Sequence, residues 1–256
     1  MTTSPDNPAV REYHARREVW ARKPQIRLVY ERWVRRLRPF LPERGPLLEV
    51  GSGSGLLKDF LPEVILSDVV ELPWIDRVVD CMHMPFDDAS LGAVLGFDLL
   101  HHVADPHAFL EEAARVLRPG GRVLLLEPYI TPVSYVGYKL LHHEEIDLRR
   151  YHPAAGAKAD PWQGNLAMAN LVFGRDAQRW GELHPTLAIA RKEFLSFLDF
   201  QLAAGFKPYA YVPHALFRVL LRADDALSFL MRWIGFRVLV VLEKGPGAPV
   251  AAAYSR

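Results

Sequence analysis

The stretch LLEVGSGSG at residues 47–55 places an acid and then three alternate glycines after a short apolar run. An apolar strand that enters a glycine-rich turn is typical of open α/β sheets, whose ligands bind outside the carboxyl ends of the strands. Glycines in such a turn permit positive φ and let a ligand lie against bare backbone. The spacing is G-x-G-x-G, and Leu56 stands where the dinucleotide fingerprint G-x-G-x-x-G needs its third glycine.

Glu49 gives this loop a negative charge two residues before its first glycine. A carboxylate would repel a pyrophosphate but attract an ammonium group. The pattern therefore predicts a ligand that carries positive charge beside the loop.

The composition predicts an ordinary soluble globular protein with a sizeable core. The chain has 256 residues, of which 50% are hydrophobic and 24% charged, and its formal net charge is +1. Its one cysteine, Cys81, excludes an intramolecular disulfide, and its first residues lack the apolar segment of a secretory signal. We therefore expect a cytoplasmic protein, and the charge balance gives no reason to expect nucleic acid as a partner.

Short apolar strands and helices alternate through the first half of the chain. Two helices are expected in the first forty residues, broken near Pro24 and ended by the prolines at 39–42. Strands are predicted at residues 46–50, 64–68, 77–80, 91–97 and 122–127, with helices from about Leu56 and from Pro106. This alternation predicts βαβ units and a parallel sheet with helices on both faces.

The alternation stops at Pro128 and resumes near Leu187. Residues 128–185 are irregular and rich in aromatic residues, and we interpret them as a cap over the site, since long insertions of this kind are usually functional. After the cap the pattern predicts an amphipathic helix at 187–204, a strand at 206–212, a helix at 223–235 and a strand at 236–244.

The expected fold class is therefore α/β, with a Rossmann-like, seven-stranded, mostly parallel sheet and a C-terminal antiparallel hairpin. The expected domain organisation is a basic N-terminal helical arm at residues 1–42, which would act as a lid, and one domain at residues 43–256 with the cap at 128–185 inserted after the fifth strand.

Acids also end the second and third predicted strands. Asp68 is placed to accept hydrogen bonds from ribose hydroxyls. Asp80 can accept from an exocyclic amine such as that of adenine, with Met82 as a soft apolar face. Each acid alone equally suits a structural role as a cap. Ammonium, ribose and adenine, met in this order by three successive strand ends, describe S-adenosylmethionine.

Five stretches resemble the successive motifs of class I S-adenosylmethionine-dependent methyltransferases, in the small-molecule methyltransferase-domain branch. They are LLEVGSGSG, ILSD, VVDCMHMPF, LLHHVADP and VLRPGGRVLLLEP, and they cover roughly residues 47–128. The resemblance implies S-adenosylmethionine as the methyl donor. The residues that it implies for donor binding are Glu49, Gly51, Ser52, Gly53 and Gly55 at the methionine part, Asp68 and Val69 at the ribose, Asp80, Cys81 and Met82 at the adenine, and Phe97 and Asp98 beneath the donor.

The chain departs from the family between Asp68 and Asp80. Only eleven residues, Pro73 and Trp74 among them, separate these acids. The helix that family members commonly place there is therefore expected to be very short or absent, which opens one side of the adenosine pocket.

Histidines are the candidates for acting on the methyl acceptor. Since the donor is already reactive, much of the catalysis comes from alignment, and a base is needed only where the acceptor must lose a proton. His101 and His102, after the fourth strand, and His143, in the cap, are candidate catalytic bases, and a packing or turn-capping role is the alternative for the first pair. Metal binding is not expected, because adjacent histidines point to different sides of a regular element and neither HH pair has the i, i+4 spacing of a helical zinc site.

The cap's aromatic and polar side chains suit a lipid-linked or sugar-linked acceptor, although a small core of the cap itself is the favoured interpretation of its aromatic residues. Apolar residues interleaved with arginine at 217–233 are consistent with a core helix or with a peripheral membrane contact. The sequence thus predicts methyl transfer to an O, N or C atom of a small or lipid- or sugar-linked molecule. The alternatives are a catalytically silent S-adenosylmethionine-binding protein that acts through its cap and basic arm, and a nicotinamide-dependent oxidoreductase, which Leu56 and Glu49 disfavour.

Overall fold

A mixed seven-stranded sheet organises residues 7–141, 144–151 and 164–245, which are the residues that the computed structural model describes. Its strand order is β3-β2-β1-β4-β5-β7-β6. The strands are β1 (Leu47–Val50), β2 (Ile65–Asp68), β3 (Arg77–Val78), β4 (Leu91–Phe97), β5 (Leu117–Pro128), β6 (Leu187–Leu195) and β7 (Arg237–Lys244). The first five strands pair in parallel, while β7 is antiparallel to both β5 and β6. The predicted fold class is confirmed.

Both faces of the sheet are covered, because successive side chains of a strand point to opposite faces. Leu48 and Val94 belong to one apolar core with residues of the helix at Pro106–Val116, while Leu47 and Leu95 belong to the other core with residues of the helix at Pro24–Leu37. The helices are α1 (Pro8–Arg22), α2 (Pro24–Leu37), α3 (Pro106–Val116), α4 (Pro132–Leu141), α5 (Met168–Asn170), α6 (Trp180–Leu183), α7 (Asp199–Leu202), α8 (His214–Ala226) and α9 (Met231–Ile234).

The two expected N-terminal helices are present and divide at Pro24. A proline lies in the first turn of each, where its missing N–H costs nothing. The side chain of Asn7 caps α1 by accepting a hydrogen bond from the backbone N–H of Ala9 (3.0 Å). Trp33 of α2 is buried, and its indole N–H donates to Ser196 Oγ (2.8 Å), which ties the N-terminal region to the second half of the chain.

The connection from β2 to β3 contains no helix, as its shortness predicts. Asp76 holds this connection in place, because its carboxylate accepts hydrogen bonds from the backbone N–H of Leu66 (2.9 Å) and from Lys58 Nζ (2.6 Å). The helix predicted from about Leu56 is also reduced, to one 3₁₀ turn at Leu56–Asp59. Pro62 follows closely and leaves no room for a longer helix.

The prediction of an amphipathic helix at 187–204 is wrong. Most of this stretch is strand β6, and only the short α7 is helical. The register of β6 against β7 shifts between Ile189 and Arg191. Such a bulge breaks the alternation that identifies a strand, and it leaves apolar residues at intervals that resemble those of a helix.

Two neighbouring predictions also fail. Residues 206–212 are not a strand, since β6 takes the place beside β7, and Tyr209 and Tyr211 are half exposed. The helix predicted at 223–235 is instead the end of α8, a 3₁₀ turn at Ser228–Leu230 and α9. The final strand is confirmed as β7.

The described part of the segment after β5 packs onto the main core. Met168, Phe173 and Trp180 are buried in the same cluster as residues of α3. Asn170 fixes the start of the segment, because its side chain bonds both the N–H (2.8 Å) and the C=O (2.9 Å) of Ile130.

Among the described residues, none of the helices combines the length and the apolar character needed to cross a bilayer.

Candidate functional site

The glycine loop follows β1 at the carboxyl edge of the sheet, where Gly51 is exposed while Gly53 and Gly55 are buried beneath Tyr13 and Trp74. Gly51, Gly53 and Gly55 all have positive φ. A Cβ at Gly51 would lie 2.6 Å from Leu99 Cδ1, and one at Gly53 would lie 2.8 Å from Tyr13 Cε1. Only glycine therefore fits these two positions without displacing a neighbour.

Hydrogen bonds from β2 set the shape of this loop. The backbone N–H of Ser52 donates to Ser67 O (2.8 Å), and that of Gly53 donates to Asp68 Oδ2 (2.8 Å). The other oxygen of Asp68 accepts from the N–H of Val70 (2.9 Å). Burial raises the pKa of Asp68, and these backbone donors oppose the rise. Asp68, the last residue of β2, thus fixes the conformation of the glycine loop through a hydrogen bond to its backbone.

Glu49 carries a buried carboxyl oxygen that lacks a hydrogen-bond partner among the described residues. That atom is Oε2, and the side chain belongs to the wall of the cavity described below. Burial raises the pKa of Glu49 to about 8. A buried acceptor without a donor is costly, and a cationic ligand would remove that cost.

The residues expected at the adenine lie apart from this loop and are less buried. Asp80 accepts a hydrogen bond from the backbone N–H of Met82 (2.9 Å) and is exposed. Cys81 is partly buried, and burial raises its pKa to about 12, which keeps it a thiol. Val69 is 42% exposed. Glu49, Gly51, Ser52 and Gly53 thus line one cavity, whereas Val69, Asp80, Cys81 and Met82 lie outside its lining.

Helix α1 lies across the glycine loop. Arg17 Nη1 donates to Ser54 O (2.8 Å), and Ser54 Oγ donates to Tyr13 O (3.1 Å). The guanidinium of Arg17 stacks on Trp74 at 4.4 Å from the ring centroid, and the indole N–H of Trp74 donates to Gly53 O (2.8 Å). The N-terminal region is thus a wall of the site.

A cavity of about 500 Å³ extends from the glycine loop to the carboxyl ends of β4 and β5. Phe97 and Asp98 form part of its wall, and Asp98 has a positive φ of 51°. Asp98 accepts a hydrogen bond from Arg237 Nη1, at the start of β7. Burial alone would raise the pKa of Asp98, but the charge of Arg237 outweighs it and the net shift is downward.

The two histidines after β4 enter the same cavity. His101 Nδ1 lies 2.8 Å from Glu127 Oε2, and Glu127 Oε1 accepts from the backbone N–H groups of Leu99 and Leu100, both at 2.8 Å. His101 Nε2 lies 3.6 Å from a carboxyl oxygen of Glu144.

Burial governs the protonation of this group. It lowers the pKa of His101 to about 4 and that of His102 to about 3. It raises the pKa of Glu127 to about 8 and that of Glu144 to about 7. Both imidazoles are therefore neutral near pH 7 and have a lone pair available.

The premise that the adjacent histidines diverge is wrong. They lie on a 3₁₀ turn, Leu100–His102, rather than on a regular helix or strand. Their ring centroids are 4.0 Å apart, and both side chains contribute to the cavity wall. His143 lies outside the described residues.

Sequence reasoning missed two residues that organise this site. Glu127 is the second-to-last residue of β5, and the rule that singled out acids at the ends of earlier strands would have found it. Arg237 is the first residue of β7, and it contacts Asp98 only because β7 pairs within the folded sheet. No local pattern marks it.

Comparison with known proteins identifies the first half of the sheet. A family model described as a methyltransferase domain matches residues 48–125. Residues 48–125 are thus similar to the methyltransferase domain family. The matched residues run from β1 into β5 and include the glycine loop and the histidine pair. The resemblance to class I S-adenosylmethionine-dependent methyltransferases is confirmed.

Relatives of the methyltransferase domain match over limited lengths. The 27-O-demethylrifamycin SV methyltransferase of Amycolatopsis mediterranei is 44% identical over 61 residues, which are 22% of this chain and 22% of that protein. The demethylmenaquinone methyltransferase of Clavibacter sepedonicus is 34% identical over 126 residues, which are 42% of this chain and 51% of that protein. The chain thus spans about half or less of the length of these relatives.

A solved structure matches over most of the chain. A SAM-dependent methyltransferase from Archaeoglobus fulgidus aligns with a TM-score of 0.53 over 86% of this chain and 94% of that one, at 16% identity. At this identity the likeness establishes the fold.

Proposed function

We propose that this chain transfers a methyl group from S-adenosylmethionine to an O, N or C atom of a small, lipid-linked or sugar-linked acceptor. The unpartnered buried carboxyl oxygen of Glu49 carries the proposal, because it faces a glycine-lined cavity and would pair with an ammonium group. The curated relatives named as methyltransferases support the same activity.

The donor-binding residues fit this ligand from one end of the molecule to the other. Glu49 would hold its ammonium group, and the glycine loop would approach its methionine part. Asp68 and Val69 would meet the ribose, and Asp80, Cys81 and Met82, which are less buried than Glu49, would meet the adenine. Phe97 and Asp98 would lie beneath the donor.

The reaction is an in-line displacement at the methyl carbon. The donor supplies an activated methyl group on a sulfonium, and a new bond to the acceptor forms as the sulfur–carbon bond breaks. The chain's contribution is alignment inside a cavity of limited volume, which can supply up to ~7–11 kcal/mol of the barrier reduction. We propose that His101 and His102 activate the acceptor; because burial lowers their pKa to about 4 and about 3, they are weak bases, and their lone pairs are better suited to holding a cation that binds the acceptor.

Calorimetric titration with S-adenosylmethionine and, separately, NAD tests the donor. We expect the wild-type protein to bind the first only, and Glu49→Ala and Asp68→Ala to weaken that binding at least tenfold, because each removes a buried charged partner. Glu43→Gln, an exposed acid before β1, is the control. Binding of NAD alone would refute the proposal, while donor binding without turnover on any acceptor would favour the catalytically silent alternative.

We further propose that the acceptor is presented at a membrane surface to a cytoplasmic protein. Helix α4 supports this, because Gly137 and Tyr138 line the cavity while Val136 (56% exposed) and Leu140 (77% exposed) face solvent. Trp233 of the neighbouring α9 is 52% exposed. Exposed apolar side chains of this kind bind bilayers most strongly when basic residues flank them, and Lys139 and Arg232 do so here.

Flotation with vesicles that contain or lack an anionic phospholipid tests this contact. We expect the wild type to float with anionic vesicles and the double variant Leu140→Glu, Trp233→Glu to remain unbound. Val78→Glu, which changes an exposed valine on β3, is the control and should float like the wild type. Failure of the wild type to float would contradict the membrane contact and indicate that the acceptor binds from aqueous solution.

A further inference from the structure

We propose that His101, His102 and Glu144 bind a divalent metal ion that holds the acceptor, an inference that rests on the proposed methyl transfer. One ring nitrogen of each histidine and one carboxyl oxygen of Glu144 all lie within 4.8 Å of one another. The three side chains also line the cavity next to Phe97 and Asp98. Two of the three candidate ligands are therefore the groups proposed to activate the acceptor.

The spacing of these atoms suits a single ion. Two ligands bound at about 2.0–2.2 Å from one metal lie roughly 3–4 Å apart. His101 Nε2 and Glu144 Oε2 are 3.6 Å apart, which is too long for a hydrogen bond between them and within the range for a shared ion. Small side-chain rotations would bring the second imidazole into the same range.

Glu127 is placed to orient the imidazole of His101. A metal-binding histidine usually donates its other ring N–H to a carboxylate, which fixes the tautomer and aims the free nitrogen at the ion. His101 Nδ1 is 2.8 Å from Glu127 Oε2, and the backbone N–H groups of Leu99 and Leu100 hold the opposite oxygen of Glu127. With Glu127 ionised and the proton of His101 on Nδ1, Nε2 would be presented to the cavity as an acceptor.

His102 supplies an independent observation. Its Nδ1 atom is buried and has no hydrogen-bond partner within the described part of the chain. An imidazole in a polar cavity normally satisfies both ring nitrogens. The backbone of Gly164 lies close by, since a Cβ on that glycine would come within 3.0 Å of this nitrogen. A larger residue at 164 would crowd the histidine pair.

The charges of the surrounding groups also favour a cation. Asp98, Glu127 and Glu144 act on one another through the cavity, and Arg237 pairs with the first of them. A divalent ion at the three proposed ligands would reduce the repulsion among the carboxyl groups.

Two imidazoles and one carboxylate suit zinc, iron(II), cobalt(II) or manganese(II), and they leave coordination positions open. An acceptor hydroxyl that occupies one of these positions has its pKa lowered by the ion and passes its proton to water. The resulting oxygen anion then attacks the methyl carbon as the sulfur–carbon bond breaks, and the ion keeps its oxidation state. This proposal narrows the attacked atom to oxygen.

Titration of the chelator-treated protein with cobalt(II), followed by its visible absorption and by calorimetry, tests the site without any acceptor. We expect one ion per wild-type chain and a loss of affinity of at least tenfold in His102→Ala and in Glu144→Gln. Glu127→Gln should weaken binding by about 10- to 100-fold, because it removes the group that orients His101. Glu145→Gln, an exposed neighbouring acid, is the matched control and should bind like the wild type.

Thermal unfolding of the same proteins identifies any misfolded variant. Titration of each protein with S-adenosylmethionine shows whether the donor still binds. Wild type that binds the donor but no cobalt, or cobalt binding equal in all four variants, would overturn the metal site and leave the proposed function standing. Absence of donor binding in folded wild type would overturn the proposed function instead.

Discussion

The protonation state of the buried Glu49 carboxyl is expected to change when a cationic ligand binds beside it. Its pKa is raised from 4.5 to about 8 by burial, so at pH 7 the carboxyl of the unliganded protein is mainly protonated. An ammonium group favours the ionised form and lowers that pKa again. Binding of a cationic amino-acid moiety near pH 7 must therefore release a proton.

We predict a release of about one proton when S-adenosylmethionine binds at pH 7. The measurement is the calorimetric binding heat in two buffers with different ionisation enthalpies. Glu49→Gln should release none, and Glu43→Gln should match the wild type. Equal heats in both buffers would show that Glu49 is already ionised or does not meet the ammonium group.

At the scale of single elements, α1 is tied to the glycine loop by backbone contacts as well as by packing. Arg17 bonds Ser54 O and stacks on Trp74, which itself bonds Gly53 O. These links make the helix part of the donor pocket's wall, so its departure would uncover the loop.

We predict that Arg17→Ala weakens donor binding by about three- to tenfold, which corresponds to one partly buried hydrogen bond. The loss should appear mainly as faster dissociation, because the wall opens more readily, and stopped-flow fluorescence of the protein's tryptophans would measure it. Arg22→Ala, in the last turn of the same helix, is the control. Unchanged dissociation in Arg17→Ala would show that the helix does not retain the donor.

The elements that sequence reasoning predicted correctly are those whose signal is local. Strands β1, β4 and β5 are continuous apolar runs, and α3 begins with a capping aspartate followed by proline. Strand β6 was mistaken for a helix because it lies at the sheet edge, half exposed, and is interrupted by a bulge. Its pairing with β7 depends on residues about fifty positions away, which no local window contains.

Local sequence likewise predicts some residues of the candidate site and not others. Glu49 and the glycines could be predicted because their types and spacing already imply the ligand's charge. The grouping of His101 and His102 with Glu144 could not, since it requires a 3₁₀ turn and a segment about forty residues later. Arg237 could not be predicted either, because only the pairing of β7 with β5 brings it to Asp98.

At the scale of the whole molecule, Trp33 connects the N-terminal helices with the last third of the chain. Its indole is 2% exposed, bonds Ser196 Oγ, and stacks against Phe200 with ring centroids 5.6 Å apart. The guanidinium of Arg237 lies 4.5 Å from the same ring. Packing around this tryptophan therefore couples the N-terminal region to the site.

We predict that Trp33→Ala lowers the free energy of unfolding by about 3–5 kcal/mol, through the cavity that it leaves and the lost hydrogen bond. Urea denaturation followed by circular dichroism measures this change. Trp233→Ala removes an exposed tryptophan and should change stability by less than about 0.5 kcal/mol. Similar losses in the two variants would contradict the assigned role of Trp33.

The strand order has a consequence for the chain during its synthesis. Strand β7 lies between β5 and β6, although it is the last of the seven described strands to leave the ribosome. Until it emerges, β5 offers an open edge, β6 has no neighbour to pair with, and Arg237 cannot reach Asp98. The nascent protein must therefore keep two unpaired strand edges apart from other chains, which makes this interval the one at which chaperone protection matters most.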